Sequence, residues 1–125
     1  MNICELFLSI DGEGSRTGDT AVFIRRTQCN LRCSFCDSVY TFTDDEATEM
    51  SVDEIVCKCI AIGKGCKRVT FTGGEPLYCR TPEQEEETVN LINALTACGF
   101  EVNVETNGAI SLGKWLDVVR ANGFF

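Results

Sequence analysis

An α/β fold on a parallel sheet is the architecture this sequence predicts, and three observations carry that expectation. Short apolar runs of strand length alternate with segments of helical periodicity along the chain. Two of the helical segments open on capping signatures, which fix where the preceding loops must end. The polar clusters fall directly after strands, where parallel sheets with right-handed crossovers gather their reactive groups. At 125 residues the chain is expected to form a single domain, residues 1–125.

The elements follow in order. The stretch CELFLSI has short apolar runs broken by Glu5 and Ser9, a weak strand signal. It stops at the glycine-rich loop Asp11–Asp19. AVFIRR, Ala21–Arg26, reads as a buried strand, and a cysteine-rich stretch follows it directly. SVDEIVCKCIAIG opens on Ser51 with Glu54 three residues on, a capping box in which each residue's side chain bonds the other's backbone N–H. Ile55, Cys59 and Ile60 are expected on the inner face of that helix. Arg68–Thr72 is the next strand. TPEQ repeats the capping logic, with Thr81 as N-cap, Pro82 at the first helical position and Gln84 at the third. Val89, Ile92 and Leu95 form the apolar stripe of this second helix, EQEEE is a solvated face, and Gly99 is the stop. Phe100–Glu105 alternates as a third strand, and GKWLDVVRANG reads as a third helix stopped near Gly123.

Charge and composition exclude some functions. The net charge of -8 leaves no basic stripe, so neither nucleic acid nor an anionic membrane surface is an expected partner. The start MNICELFLSI has no basic region before its apolar residues, and no run approaches a membrane span. A cytoplasmic protein is expected. Nine cysteines in a reducing compartment point to metal binding or to small buried hydrophobes rather than disulfides. The absence of histidine removes the commonest general base and the commonest zinc ligand together.

Three clusters carry the chemistry: Cys29–Ser38, Gly73–Pro76 and Glu105–Gly108. In CNLRCSFC, three thiols stand at C-x3-C-x2-C spacing. Structural zinc takes four ligands, and only a distant residue such as Cys66 could complete that set. A cubane iron–sulfur cluster usually takes four thiolates; three leave one iron open to a substrate. The glycines of TGGEP allow close backbone approach. Glu105, Thr106 and Asn107 can line a pocket or cap the following helix. The remaining cysteines, Cys4, Cys57, Cys59, Cys66, Cys79 and Cys98, have no ligand spacing and are expected to be mostly buried.

With CNLRCSFC and TGGEP together, the chain resembles the radical S-adenosylmethionine enzymes. The stretches FLSIDGEGSRTGDTAVFIRRTQCNLRCSFCDS and VNVETNGAI narrow the resemblance to the 7-carboxy-7-deazaguanine synthase family, across almost the whole chain. The resemblance implies a partial (β/α) barrel. It implies a 4Fe–4S cluster held by Cys29, Cys33 and Cys36, whose open iron binds S-adenosylmethionine and whose electron releases a 5′-deoxyadenosyl radical. Phe35, Cys36 and Asp37 would lie along that cofactor, with Gly74 at its methionine end. The implied substrate is 6-carboxy-5,6,7,8-tetrahydropterin, converted to 7-carboxy-7-deazaguanine with loss of ammonia in queuosine-type 7-deazapurine synthesis. Ile10, Asp11, Gly12 and Glu13 would lie along the pterin, Arg25 would meet its carboxylate, and Thr72 would touch it. Ser38, where the family carries threonine, would bind magnesium through its hydroxyl. A homodimer and a reducing electron donor such as flavodoxin are implied as well.

The sequence also departs from that family. It ends at RANGFF, where the family continues through further strand–helix units. A truncated frame or a fragment is expected, with one sheet edge open and about the N-terminal half to two-thirds of the fold present. Two alternatives stand beside the lead reading: a non-catalytic iron–sulfur-binding remnant, and an activating enzyme that installs a glycyl radical. The second shares C-x3-C-x2-C, but SIDGEG and VETNGAI favour the deazapurine family.

Overall fold

The computed structural model describes residues 1–122. It has a five-stranded sheet made of β1 (Asn2–Ile10), β2 (Thr20–Arg26), β3 (Thr48–Glu49), β4 (Arg68–Gly73) and β5 (Glu101–Val104). Three helices accompany it: α1 (Val52–Gly63), α2 (Pro82–Ala97) and α3 (Gly113–Asn122). The spatial order is β3-β1-β2-β4-β5. β2, β4 and β5 run parallel, as crossovers through α1 and α2 require. The expected stop of α3 at Gly123 lies outside the described residues.

The parallel expectation covers three strands of five. β1, weak in the sequence, is a nine-residue strand antiparallel to β2. The reason lies in loop Asp11–Asp19, which closes on itself: Asp11 N–H donates to Asp19 O at 2.8 Å and Gly18 N–H to Asp11 O at 2.8 Å. A loop with joined ends returns the chain beside itself, so the two strands pair as a hairpin. The short β3 pairs antiparallel with the start of β1.

Alternation along each strand separates two faces. Val22, Ile24, Val69, Phe71, Val102 and Val104 point into a core with Ile55, Val56 and Cys59 of α1, Leu91 and Leu95 of α2, and Trp115 of α3. The other face carries two cross-strand rows. Phe7, Phe23, Thr70 and Asn103 are successive register partners, as are Glu5, Arg25 and Thr72. No helix among the described residues is long and apolar enough to cross a membrane.

The caps form as expected. Ser51 and Glu54 make the full capping box, and the Thr81 side chain accepts from Gln84 N–H. Gly99 takes a left-handed conformation (φ 80) just past α2. Two side-chain expectations fail. Ile60 is 51 % exposed, because five residues beyond Ile55 is about 140° around the helix. Val56 and Gly63 take the inner positions with Ile55 and Cys59. Of the six cysteines without ligand spacing only Cys59 is buried; Cys57 and Cys98 are exposed, and Cys4, Cys66 and Cys79 are half-buried.

Burial pushes the Cys59 thiol from its ordinary 9.0 up to about 12. Its folded value lies above its unfolded one, so the contribution of the neutral thiol is complete below about pH 9 and is lost as pH rises toward 12. Iodoacetamide at pH 9 under native conditions is therefore expected to label Cys57 and Cys98 and to spare Cys59 until urea is added. Mass mapping of the labelled peptides checks this.

Candidate functional site

β2 carries the chain to the C-terminal end of the parallel strands, and residues 27–38 form the cysteine loop. The root of that loop is locked to β4. Gly74 N–H donates to Arg26 O at 3.1 Å, and Glu75 N–H donates to Gln28 O at 2.9 Å. The approach is so close that a Cβ on Gly73 would stand 2.1 Å from Arg26 O. One on Gly74 would stand 2.2 Å from Gln28 O and 3.0 Å from Cys29 Cβ. The glycine pair thus admits the chain's own backbone, and it sets where Cys29 begins the loop.

Gln28 turns the loop outward in a left-handed conformation (φ 78). Its backbone N–H donates to Thr41 O at 2.6 Å, its Nε2 donates to Asp44 at 2.6 Å, and Arg80 donates to its Oε1. Thr27 also donates to Asp44, and that hydroxyl is the main reason the Asp44 carboxyl lies below its usual value. Partners this numerous are what hold a non-glycine residue at positive φ.

The rest of the loop is lightly held. Arg32 Nη1 donates to the carbonyls of Cys29 (2.8 Å) and Leu31 (2.7 Å), with its guanidinium 4.3 Å above the Phe42 ring. Cys36 N–H donates to Cys33 O at 3.2 Å, closing a turn whose two ends are both cysteines. Phe35 sits on that turn, 88 % exposed.

Cys29, Cys33 and Cys36 are all free and half-buried. Among the described residues no three acidic or thiol groups stand where they could hold a single metal ion. Cys66, the distant candidate for a fourth zinc ligand, hydrogen-bonds Thr20 O at 3.1 Å, at the opposite end of the parallel strands. Cys66 is therefore not placed to join the loop cysteines as a fourth ligand. Three free thiols on one loop, with no fourth beside them, fit a multinuclear cluster that keeps one iron open.

The loop meets the other two clusters through Glu75, a residue passed over in the sequence in favour of its glycine neighbours. Its side chain is fully buried (0 % exposed). It accepts from Leu77 N–H (3.0 Å), the Thr106 hydroxyl (2.9 and 3.0 Å) and Asn107 N–H (2.7 Å). Asn107 Nδ2 then donates to Asn30 Oδ1 at 3.0 Å and reaches Cys29 Sγ at 3.9 Å.

Beside the loop, on the polar face of the sheet, lies a cleft of about 390 Å³. It is lined by Ile10, Gly12, Glu13, Arg25, Asp37, Ser38, Thr72 and Glu105, all singled out in the sequence, and also by Phe7 and Phe23, which were not. Phe7 and Phe23 stack with centroids 5.2 Å apart. Their pairing depends on the β1–β2 register, which no local pattern discloses. Arg25 Nε donates to Glu5 at 2.7 Å, Tyr40 donates to the same Glu5 oxygen at 2.9 Å, and Arg25 Nη1 stands 3.5 Å from Ser38 Oγ. Burial, followed by the hydrogen bond to Glu5, raises the Tyr40 hydroxyl above its usual value.

Asp11 is not brought to the cleft. It is 1 % exposed and accepts from Arg16 (3.3 and 3.2 Å) and from the Thr70 hydroxyl (2.7 Å). Its carboxylate ties the loop after β1 to β4, an internal task where the sequence suggested a substrate-facing one.

Fold and site together define a class: the chain belongs to the radical SAM superfamily, whose profile matches residues 24–125. Its relatives are more particular. It is 42 % identical over 120 residues to the 7-carboxy-7-deazaguanine synthase of Halobacterium salinarum, covering 96 % of this chain and 44 % of that protein. It is 44 % identical over 108 residues to the synthase of the same name from Koribacter versatilis, covering 86 % and 44 %. The crystal structure of QueE from Escherichia coli superimposes with a TM-score of 0.71 at 27 % identity, over 86 % of this chain and 52 % of that one. The sheet and helices are thus part of the radical SAM barrel, and the chain spans about half the length of the proteins it matches.

The glycine lock is directly testable. Gly73→Ala at φ 140 is expected to destabilise the fold by ~2 kcal/mol or more, since backbone must move. Gly12→Ala, with nothing within 4 Å of the added Cβ, is expected to change stability by less than ~0.5 kcal/mol. Urea unfolding of both variants measures the contrast.

Proposed function

We propose that this chain is the cluster-binding and pterin-binding part of a 7-carboxy-7-deazaguanine synthase, acting on 6-carboxy-5,6,7,8-tetrahydropterin with loss of ammonia. One observation carries the reading. Residues picked from five separate stretches of sequence (Ile10, Gly12 and Glu13; Arg25; Asp37 and Ser38; Thr72; Glu105) line one cleft at the foot of the cysteine loop. Nine free thiols belong with a reducing compartment, so we place the chain in the cytoplasm.

In this reading Cys29, Cys33 and Cys36 hold a 4Fe–4S cluster, with Phe35, Cys36, Asp37 and Gly74 along the cofactor. Cluster and S-adenosylmethionine, when bound, supply a hydrogen-abstracting adenosyl radical. The chain's own residues position the substrate. The stacked Phe7 and Phe23 give the cleft a flat apolar floor suited to a fused ring. Glu5 clamps Arg25 at Nε, which leaves other guanidinium N–H groups to take a carboxylate as a fork. Thr72 presents a hydroxyl on the neighbouring strand, in register with Arg25.

Magnesium at Ser38 fits this arrangement under one condition. The Ser38 hydroxyl adjoins the Asp37 carboxylate at 3.0 Å, an oxygen pair of the kind magnesium uses. Arg25 stands 3.5 Å from the same hydroxyl, so a divalent cation there needs an anion between the two positive charges. The carboxylate of the substrate is that anion, and metal and substrate are expected to bind together. Homodimerisation and a flavodoxin-like reductant complete the reading.

Anaerobic reconstitution with iron and sulfide, then addition of S-adenosylmethionine, dithionite and the carboxypterin, tests it. Deazapurine product supports the full reading. A change in the cluster's paramagnetic resonance on adding S-adenosylmethionine, without product, supports a cluster-binding chain that does not turn over. Bound zinc with no iron–sulfur absorbance overturns both. In the reconstituted chain, Arg25→Gln is expected to weaken carboxypterin binding about 10- to 100-fold, the worth of charge-assisted hydrogen bonds. It should leave binding of the decarboxylated pterin unchanged. Calorimetry with the two ligands separates these outcomes.

A further inference from the structure

We propose that Asn107 is a positioning residue for the cluster: its side-chain amide donates to the Cys29 sulfur and raises the reduction potential of the group that Cys29 holds. This rests on the cluster reading above.

The orientation of the amide is fixed from both sides. Asn107 Oδ1 accepts from Ala109 N–H at 2.9 Å, and the Asn107 backbone N–H donates to the buried Glu75 at 2.7 Å. With the oxygen committed, the two amide hydrogens face the cysteine loop. One donates to Asn30 Oδ1 at 3.0 Å, and the nitrogen lies 3.9 Å from Cys29 Sγ. Leu31 N–H donates to the same sulfur at 3.4 Å. Among the described residues no hydrogen bond reaches the sulfur of Cys33 or Cys36, so Cys29 alone is furnished with donors.

Donors to a coordinated sulfur favour the state with more negative charge, which is the reduced one, and so raise the potential. Beyond the sulfur, the amide N–H groups have one partner, Asn30 Oδ1 on the cysteine loop itself. Asn107 is exposed, and its turn to Ala109 needs only the side-chain oxygen. An aspartate would keep that acceptor and lose both N–H groups. Asn107→Asp therefore separates tuning from turn formation.

The test compares the 125-residue chain, Asn107→Ala and Asn107→Asp, each reconstituted anaerobically. Iron and sulfide content, the midpoint potential by redox titration with paramagnetic resonance, and the urea midpoint are measured. Equal iron content is expected in all three, with an unchanged urea midpoint for Asn107→Asp. Both variants are expected to show a lower potential. The reduction equilibrium should fall about three- to tenfold, or ~28 to ~59 mV for one electron, with aspartate at or beyond the larger figure. Potentials equal to that of the unmodified chain would overturn the proposal and leave the cluster reading intact. Loss of iron from a folded Asn107→Asp would also overturn it, by making Asn107 a requirement for assembly rather than a tuner. An unmodified chain that forms no cluster would overturn both this proposal and the reading beneath it.

Discussion

The side chain of Glu75 lies wholly inside the protein, and among the described residues no cation pairs with it. A carboxylate placed there forfeits several kcal/mol of hydration. Three donors compensate, two from backbone N–H groups and one from a hydroxyl, each worth ~1.5–3 kcal/mol when the acceptor is charged. Two of the three belong to the turn after β5, so the turn after β4 is satisfied only when that neighbour is in place. The backbone of the same residue bonds Gln28 O, which brings in the cysteine loop. One residue thereby fixes the relative positions of three loops from three parallel strands.

The cleft depends on a second constraint, the pleat. Because side chains alternate, the same strands that send Val22, Ile24, Val69 and Phe71 to the helices must send Phe23, Arg25, Thr70 and Thr72 the other way. Parallel sheets usually cover both faces with apolar contacts. Here the second face carries an arginine and threonines instead. Asp11, Arg16 and Thr70 form a closed polar knot at its lower edge, with Arg16 also reaching Val69 O at 3.4 Å and Glu101 at 3.6 Å. The knot joins the loop after β1 to β4 and β5, and so steadies one wall of the cleft.

Much of this was legible because it is local. The Ser51–Glu54 box, the Thr81 cap with Pro82 behind it, and the Gly99 stop each depend on residues within one turn of chain. The spacing of Cys29, Cys33 and Cys36 and the strand before them were equally plain. What was hidden depends on partners far away in sequence. β1 carries apolar residues on both faces, so its alternation is blurred, and only its register with β2 shows that Phe7 meets Phe23. Asp11 reads as a loop residue until Arg16 and Thr70 are seen to enclose it. Glu75 stands in a motif whose glycines draw the eye, and its partners lie 31 and 32 residues on. Ile60 was a plain error of helical phase.

The cysteine loop has one fixed end and one loose one. Gln28 is gripped on every side and Cys29 sits against Gly74, whereas Ser34 and Phe35 are exposed. Small zinc domains differ, because there the metal supplies the folding energy and its loss unravels the chain. Here the sheet supplies the anchorage before any iron arrives. The entropy lost on loading falls on the few residues between Asn30 and Asp37, at ~1–2 kcal/mol for each backbone fixed. In the reading proposed above, assembly and loss of the inorganic core would then be local events on a scaffold anchored by the sheet.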